Sequence, residues 1–476
     1  MYDAMGNAGP DAAFPDRGAG FSILPRDRTT RALVVAALAL FLAGYAVKKI
    51  APRERVENSD FTLYAPAGRA ILDGEPVYGT NERGRHYHFG ECQRPLYPPP
   101  PMALVMLPFS LLPIQAGALL WFALKLVMLY AMLRMSLRLA GCRREPWVPW
   151  AALAVLVLMA RILGQEFDNG QINLFMCFLA LLGVYWTEYG ARSLAGGAAL
   201  AAAAVVKQTP ALLAMPFFTG LRRREMLGFL GGLVLWLVVV PSIVLGPGQN
   251  LHYIQDWFGR IIWNDGGSSL LANTNGSRVD GESLRAVCYL YLSPLNAASG
   301  RDGFVHRINL LDLTPGAAQR CYLAAVAVSG LALLALAWKL RRKPGARAVL
   351  YGVLFAAMPA LSPYSLTAHF VALLYPYALA VAALFRLPRG TIHWRVLAGG
   401  TAASFLLNSV VAKIGNLDHY RPMFWGSAAL ALGLVVLALG DTSSLVSDAE
   451  RSQVREPESA TDGAPIPDPR QAAIRS

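Results

Sequence analysis

The chain has 476 residues, of which 55% are hydrophobic and only 15% charged, and its mean hydropathy is +0.40. An ordinary globular protein carries about 25% charged residues. The composition therefore excludes a disordered chain, a coiled coil and a disulfide-rich secreted domain, and it disfavours a soluble enzyme. The net charge of +13 does not indicate nucleic acid as a partner, because Lys and Arg cluster at the ends of apolar blocks, as they do in membrane proteins.

The apolar blocks predict an all-α, multi-pass protein of the cell membrane with about 12 transmembrane helices, since roughly 20 apolar residues cross the hydrocarbon core. Both chain ends are polar and rich in Pro, so we expect disordered cytoplasmic tails over residues 1–30 and 441–476 around a membrane domain at 31–440. The predicted blocks are 31–50, 116–139, 147–163, 172–189, 194–219, 226–246, 320–340, 347–361, 370–387, 394–412 and 423–440.

Two apolar stretches leave the topology open. Residues 98–115 are interrupted by prolines and form either a short span or interfacial helices. The positive-inside rule favours the interface, because the basic cluster at 138–144 then lies in the cytoplasm. The block 194–219 contains Lys207 near its middle. If this block is two short helices, the arginines at 222–224 are cytoplasmic, whereas one long helix would invert every later loop.

The first candidate site residue, Asp60, follows the first span on the predicted extracytoplasmic face. The residues after it have the spacing of an amphipathic helix, which we expect to lie at the outer membrane surface. Asp60 and Tyr64 are four residues apart and project from one side of this helix. Pro66 either kinks this helix or marks its true start. The alternative reading of Asp60 is a helix cap or a solvated carboxylate.

Further polar residues stand at the outer ends of later spans. Gln171 and Asn173 are two residues apart, so we expect them not to share a helix face. Lys207 lies among Ala, Val and Leu, where a charge is costly and indicates function unless it snorkels to the interface. His369 opens a span and could donate to an anion, transfer a proton or be structural. Arg285 could bind phosphate or mark a surface helix.

One loop carries potential metal ligands. His86, His88, Glu91 and Cys92 could bind a transition metal. Their spacing matches no zinc signature, and we therefore predict no metal site and no cofactor. Cys92 and Cys288 lie in the two long polar loops, and a bridge between them is possible, although sequence cannot fix its geometry.

Taken in order, these segments resemble glycosyltransferase family 87, the polyprenol-phosphate-mannose-dependent mannosyltransferases of the GT-C superfamily. The segments that carry the resemblance are Asp60 with Tyr64, Leu72, Gly74 and Tyr78; Tyr97-Pro98-Pro99; Gly170-Gln171-Ile172-Asn173; Lys207 with Thr209-Pro210; Ser283-Leu284-Arg285; and Leu361-Ser362-Pro363 with His369. The chain departs from the family pattern at Pro66, at Pro100 and Pro101, at Gln208, and at Gly281-Glu282.

The resemblance implies a GT-C fold whose cavity opens to the extracytoplasmic side. The donor would be a sugar, expected to be mannose, on a polyprenyl phosphate within the membrane lipids, and the acceptor a glycolipid or glycan. Asp60 would be the general base of an inverting transfer, and His369 a second catalytic group. The remaining substrate-binding candidates are Tyr64, Tyr97, Gln171, Asn173, Lys207, Ser283 and Arg285.

The chemistry agrees with this assignment. A phosphate leaving group needs no strong general acid, but it does need positive charge and hydrogen-bond donors, whose effect grows where water is scarce. Two other functions remain open from the residues alone. One is a multi-span lipid or solute transporter without transferase activity, and the other is a non-catalytic assembly partner that would tolerate loss of Asp60.

Overall fold

The computed structural model describes residues 22–25, 27–57, 59–75, 77–78, 98–143, 145–189, 192–259, 281–297, 306–343 and 345–440. These residues form helices and no β-strand, and several helices are long and apolar enough to cross a membrane. The predicted all-α, polytopic class is therefore confirmed. The predicted tails fall largely outside the described residues, and the domain boundaries stay predictions.

The helices are, in chain order, α1 (Arg28–Lys49), α2 (Arg53–Glu57), α3 (Phe61–Leu72), α4 (Pro100–Ser110), α5 (Ile114–Leu139), α6 (Val148–Asp168), α7 (Asn173–Glu188), α8 (Ser193–Val206), α9 (Thr209–Thr219), α10 (Arg223–Leu245), α11 (Pro247–Trp257), α12 (Leu284–Leu292), α13 (Pro315–Leu340), α14 (Ala346–Leu361), α15 (Thr367–Arg386), α16 (Ile392–Lys413) and α17 (Pro422–Leu439). Of the described helices, 8 are membrane-span candidates by length and hydropathy: α1, α5, α6, α10, α13, α15, α16 and α17. The shorter apolar helices α7, α8, α9 and α14 match the other predicted blocks, and the count of twelve crossings stays a prediction.

The proline-rich stretch after the first span forms the short helix α4. Its 11 residues extend over about 16 Å, roughly half of the hydrocarbon core. It packs closely along α3, because a Cβ at Gly68 would lie only 2.7 Å from the backbone nitrogen of Leu107. The placement of residues 98–115 in the interface stays a prediction.

The block around Lys207 is two helices, as the charge pattern predicts. α8 ends at Val206, Lys207 has extended backbone angles of φ −156° and ψ 134°, and α9 begins at Thr209. Arg222 follows α9 and forms an ion pair with Glu188, which ends α7. The chain therefore returns, after its turn at Lys207, to the end of the bundle from which α8 started.

Basic side chains gather at that end, which we call the basic end. Glu188 also pairs with Arg347 at 3.1 Å, and Arg386 pairs with Glu145 at 3.1 Å. Lys343 donates to a carbonyl at the end of α17 at 2.9 Å. These cations are the ones that the positive-inside rule assigns to the cytoplasm. The turn at Lys207 lies at the opposite end, which we call the site end.

The centre of the bundle is α15. In its most apolar stretch 83% of the residues are buried, whereas the corresponding value for α1 is 0%. α15 therefore packs on helices around it, and α1 faces outwards. Since α15 ends at the basic end with Arg386, its beginning lies at the site end, where it carries His369.

Candidate functional site

The first residue of the site is Asp60, which precedes α3 and is half-buried. Its backbone N–H donates to the carbonyl of Asn169 at 2.9 Å, which fixes the start of α3 against the turn between α6 and α7. Gly170 permits this close approach, because it has φ +61° and a Cβ there would lie 3.2 Å from the backbone nitrogen of Phe61. The carboxylate is thereby placed at the edge of the bundle.

The Asp60 carboxylate does not cap α3 with a side-chain hydrogen bond, although the residue occupies the cap position. It accepts a hydrogen bond from Nε2 of Gln171 instead. The helix begins at Phe61 and continues through Pro66, so the proline lies inside it and does not mark its start.

A chain of hydrogen bonds connects this carboxylate with Lys207. Oε1 of Gln171 accepts from the hydroxyl of Tyr64 at 3.2 Å and from Nδ2 of Asn173 at 3.4 Å. Oδ1 of Asn173 in turn accepts from Nζ of Lys207 at 3.0 Å. An acid, two amides, a phenol and an ammonium group therefore meet at the site end, although they come from three separate segments of the sequence.

The contact between Gln171 and Asn173 corrects the expectation that they do not share a face. That expectation assumed that both residues are helical. The structure begins α7 at Asn173, and Gln171 lies in the preceding turn with its backbone N–H bonded to the carbonyl of Glu166 at 3.2 Å. A turn residue does not follow helical spacing, so its side chain can fold back onto the first residue of the helix.

His369 lies near the start of α15, on the same side as Lys207, whose charge acts on its ring. Nδ1 of His369 accepts the backbone N–H of Leu366 at 2.8 Å. A neutral ring in this arrangement carries its proton on Nε2, which can donate to an anion. Lys207, at the end of the hydrogen-bond chain opposite Asp60, and His369 are therefore two potential donors at the site end.

Two residues below the amides were missed by the sequence reasoning. Glu166 and Lys125 are almost fully buried, and Nζ of Lys125 lies 3.5 Å from Oε1 of Glu166. The lysine also donates to the carbonyls of Glu166 at 2.8 Å and Gln171 at 3.3 Å. The signal was present, because Lys125 is a charge inside a predicted span. Glu166 fell in a predicted loop, whereas α6 continues to Asp168.

A groove runs beside Asp60. Its lining includes the neighbours of that residue, Ser59 and Phe61, together with Lys49, Arg55 and aromatic rings such as Phe122. Apolar walls with a few polar groups are typical of sites that bind amphipathic ligands.

The structure places Ser283 and Arg285 apart from the hydrogen-bond chain. Ser283 caps α12 by accepting the backbone N–H of Ala286 at 3.5 Å. Arg285 lies 5.9 Å from the ring centre of Tyr322, and burial lowers the pKa of its guanidinium. Their predicted roles in substrate binding stay predictions.

The segment before these residues contacts the loop that leads to His369. The backbone N–H of Glu282 donates to the carbonyl of Ser365 at 2.6 Å. Burial raises the pKa of Glu282 to about 7, although Arg421 and the backbone N–H of Met423 oppose the shift. Glu282 is one of the positions at which the chain departs from the family pattern, and its titration falls near neutral pH.

Several predictions lie outside the described residues. They concern Tyr97, the potential metal ligands His86, His88 and Glu91, and the pairing of Cys92 with Cys288. Within the described ranges no group of three or more His, Cys, Asp or Glu side chains is placed to hold a metal ion.

The fold and site define a polytopic helical membrane protein with an acid and cationic donors at the end opposite its basic loops. The model of glycosyltransferase family 87 matches residues 96–363, which is more than half of the chain. The chain therefore belongs to glycosyltransferase family 87. Asp60 and His369 lie outside the matched residues, and their predicted roles stay predictions.

Two curated relatives carry the same description, polyprenol-phosphate-mannose-dependent alpha-(1-2)-phosphatidylinositol pentamannoside mannosyltransferase. The protein from Mycobacterium tuberculosis (strain CDC 1551 / Oshkosh) is 30% identical over 244 residues, or 49% of this chain and 52% of the relative. The protein from Mycolicibacterium smegmatis (strain ATCC 700084 / mc(2)155) is 30% identical over 191 residues, or 37% of this chain and 45% of the relative. The matches thus span about half the length of these relatives. No solved structure matches the chain significantly.

Proposed function

We propose that this protein transfers mannose from a polyprenyl-phosphate donor to a glycolipid or glycan on the extracytoplasmic face of the cell membrane. Membership of the family supports the transferase class, and the names of both relatives support the donor. Those names include a glycolipid acceptor, phosphatidylinositol pentamannoside, and we therefore favour a glycolipid over a glycan.

The observation that carries the proposal is the hydrogen-bond chain from Asp60 through Gln171 and Asn173 to Lys207. It separates a carboxylate from an ammonium group by two neutral amides. A glycosyl transfer needs this separation, because the base must meet the attacking hydroxyl while the cation meets the leaving phosphate on the other side of the reacting carbon.

In the proposed reaction Asp60 removes the proton of the acceptor hydroxyl as its oxygen attacks the anomeric carbon. The bond between that carbon and the phosphate oxygen breaks, and the bonding electrons leave with the polyprenyl phosphate. Attack from the side opposite the leaving group inverts the anomeric configuration. Lys207 and Nε2 of His369 stabilise the charge that develops on the phosphate.

The site end is extracytoplasmic in this proposal, because the positive-inside rule assigns the basic end to the cytoplasm. The polyprenyl chain can then stay in the bilayer while its phosphate reaches the site at the membrane edge.

The test is transfer of labelled mannose from polyprenyl-phosphate mannose by purified protein in proteoliposomes. Asp60→Asn should lower kcat by about 10²–10⁴, while donor binding remains. Asp73→Asn is the matched control, since Asp73 caps the far end of the same helix and forms an exposed pair with Arg69. The anomeric configuration of the product should be opposite to that of the donor. Transfer by Asp60→Asn at the wild-type rate would remove Asp60 from the role of base, and transport of an unmodified lipid or solute without transfer would favour a transporter.

A further inference from the structure

A buried pair, Glu166 and Lys125, lies beneath the site, and the role assigned to it below rests on the proposed function. Both oxygens of Glu166 act as acceptors. Oε1 accepts the backbone N–H of Leu174 at 3.2 Å, and Oε2 accepts Nδ2 of Asn173 at 3.3 Å. Glu166 has a relative exposure of 0%, so water does not compete for either oxygen.

This arrangement determines which end of the Asn173 amide faces Lys207. Because Nδ2 is directed to Glu166 and to Oε1 of Gln171, Oδ1 is left to accept from the ammonium group. Lys125 contributes by holding the carbonyls of Glu166 and Gln171, which bracket the turn. A buried polar group whose partners are all satisfied keeps one orientation.

We propose that Glu166, held by Lys125, is a positioning residue of the transfer reaction that orients Asn173 so that Lys207 stays charged and directed at the donor phosphate. Glu166 touches no substrate in this role. It acts through the amide of Asn173 and through its own charge, which also acts on Lys207, and its effect on the reaction is therefore an effect on Lys207.

The variant Glu166→Gln separates this role from simple packing. An amide in place of the carboxylate has one acceptor oxygen, and the N–H of Leu174 is fixed in the backbone and must keep that oxygen. The new NH2 group then faces Asn173, which must turn its own oxygen towards it. Lys207 loses its acceptor and meets an N–H donor, which disfavours the charged ammonium.

The expected loss in kcat/KM is about 10- to 100-fold, the range for a lost hydrogen bond to a charged group. The basic limb of the pH–rate profile should also move to lower pH, because Lys207 becomes easier to deprotonate. If Glu166 were purely structural, Glu166→Gln would lower the amount of folded protein but leave the basic limb of the pH–rate profile in place.

Since Glu166→Gln leaves Lys125 without a charged partner and can reduce folding, the decisive variant is Lys125→Met with Glu166→Gln. Replacing both members of a buried ion pair is often neutral for stability. The double variant removes the unpaired charge, so it should melt above Glu166→Gln alone, and it should still show the lower kcat/KM and the shift of the basic limb to lower pH. Glu188→Gln is the control, because it removes a half-buried carboxylate from the basic end and should leave the basic limb of the pH–rate profile unchanged.

Hydrogen–deuterium exchange of the segment from Glu166 to Met176 gives a readout that does not require transfer. Exchange should rise in the double variant and remain unchanged in Glu188→Gln. If the wild type transfers no mannose but exchange behaves in this way, the proposed function fails while the positioning of the turn stands. A double variant with wild-type kcat/KM, pH profile and exchange would overturn the inference.

Discussion

The charge of Lys207 can be tested by substitution with a neutral donor. Its Nζ is held 3.0 Å from Oδ1 of Asn173 at the turn between α8 and α9. The substitution Lys207→Gln keeps a hydrogen-bond donor but removes the charge. A unit charge about 4 Å from the phosphate contributes about 4 kcal/mol at an effective dielectric constant of about 20. Loss of this charge should therefore lower kcat by about 10²–10³, as for other preorganised donors at a developing anion.

The assay is transfer of labelled mannose in proteoliposomes, with donor and acceptor varied separately. Because the charge acts on the leaving phosphate, kcat should fall more than the KM for the acceptor changes. Lys207→Arg keeps the charge and should lie between the wild type and Lys207→Gln. Lys343→Gln is the control, since this lysine also donates to helix carbonyls, but at the basic end. A loss of less than about tenfold in Lys207→Gln, or 1.4 kcal/mol, would refute the assignment of Lys207 to the leaving group.

Two further predictions concern stability and topology. Glu282 binds protons more tightly in the folded state, with a pKa of about 7 against an ordinary 4.5, so the native state loses stability relative to the unfolded state as pH rises between these values. The difference in Tm between the wild type and Glu282→Gln should therefore favour the wild type more strongly near pH 4.5 than above pH 7. A difference in Tm that does not vary with pH would contradict the burial of this carboxyl. The turn at Lys207 predicts that a cysteine replacing Gln208 is labelled by an impermeant reagent added outside the cell, whereas one replacing Arg224 is labelled only after permeabilisation. Labelling of both from the same side would contradict a crossing of the membrane between these two positions.

The spans and the turn at Lys207 could be predicted because each depends on local composition. A bilayer requires long apolar runs, and a Lys followed closely by Pro in such a run disfavours a continuous helix. Sequence alone could also place Asp60 and Lys207 on one face, by counting crossings. Each of these inferences uses residues that are close together in the chain.

The partner of each site residue could not be predicted in this way. Lys125 and Glu166 are separated by 41 positions in the sequence, and a charge inside a span does not say which helix supplies its partner. The contact of Gln171 with Asn173 depended on where α7 begins, and helix boundaries are uncertain by one or two residues even when a structure is known. Ser283 has a polar side chain suited to binding a ligand, but its observed contacts cap a helix and meet the loop before His369.

The charges of the site also balance along the proposed reaction. The charges of Lys125 and Glu166 balance each other below the amides. Asp60 and Lys207 carry the remaining opposite charges of the hydrogen-bond chain. The donor is a phosphate diester with one negative charge, and its leaving group is a monoester that approaches two. When Asp60 takes the proton of the acceptor, its own negative charge is lost, and Lys207 is left to face the more negative phosphate. The local field thus becomes more positive as the leaving group becomes more negative, without movement of a side chain.

Lys207 can face the phosphate in this way because it is held by the neutral oxygen of Asn173, whereas cations at the basic end such as Arg222 are paired with carboxylates. A preorganised site of this kind stabilises the charge that appears in the transition state.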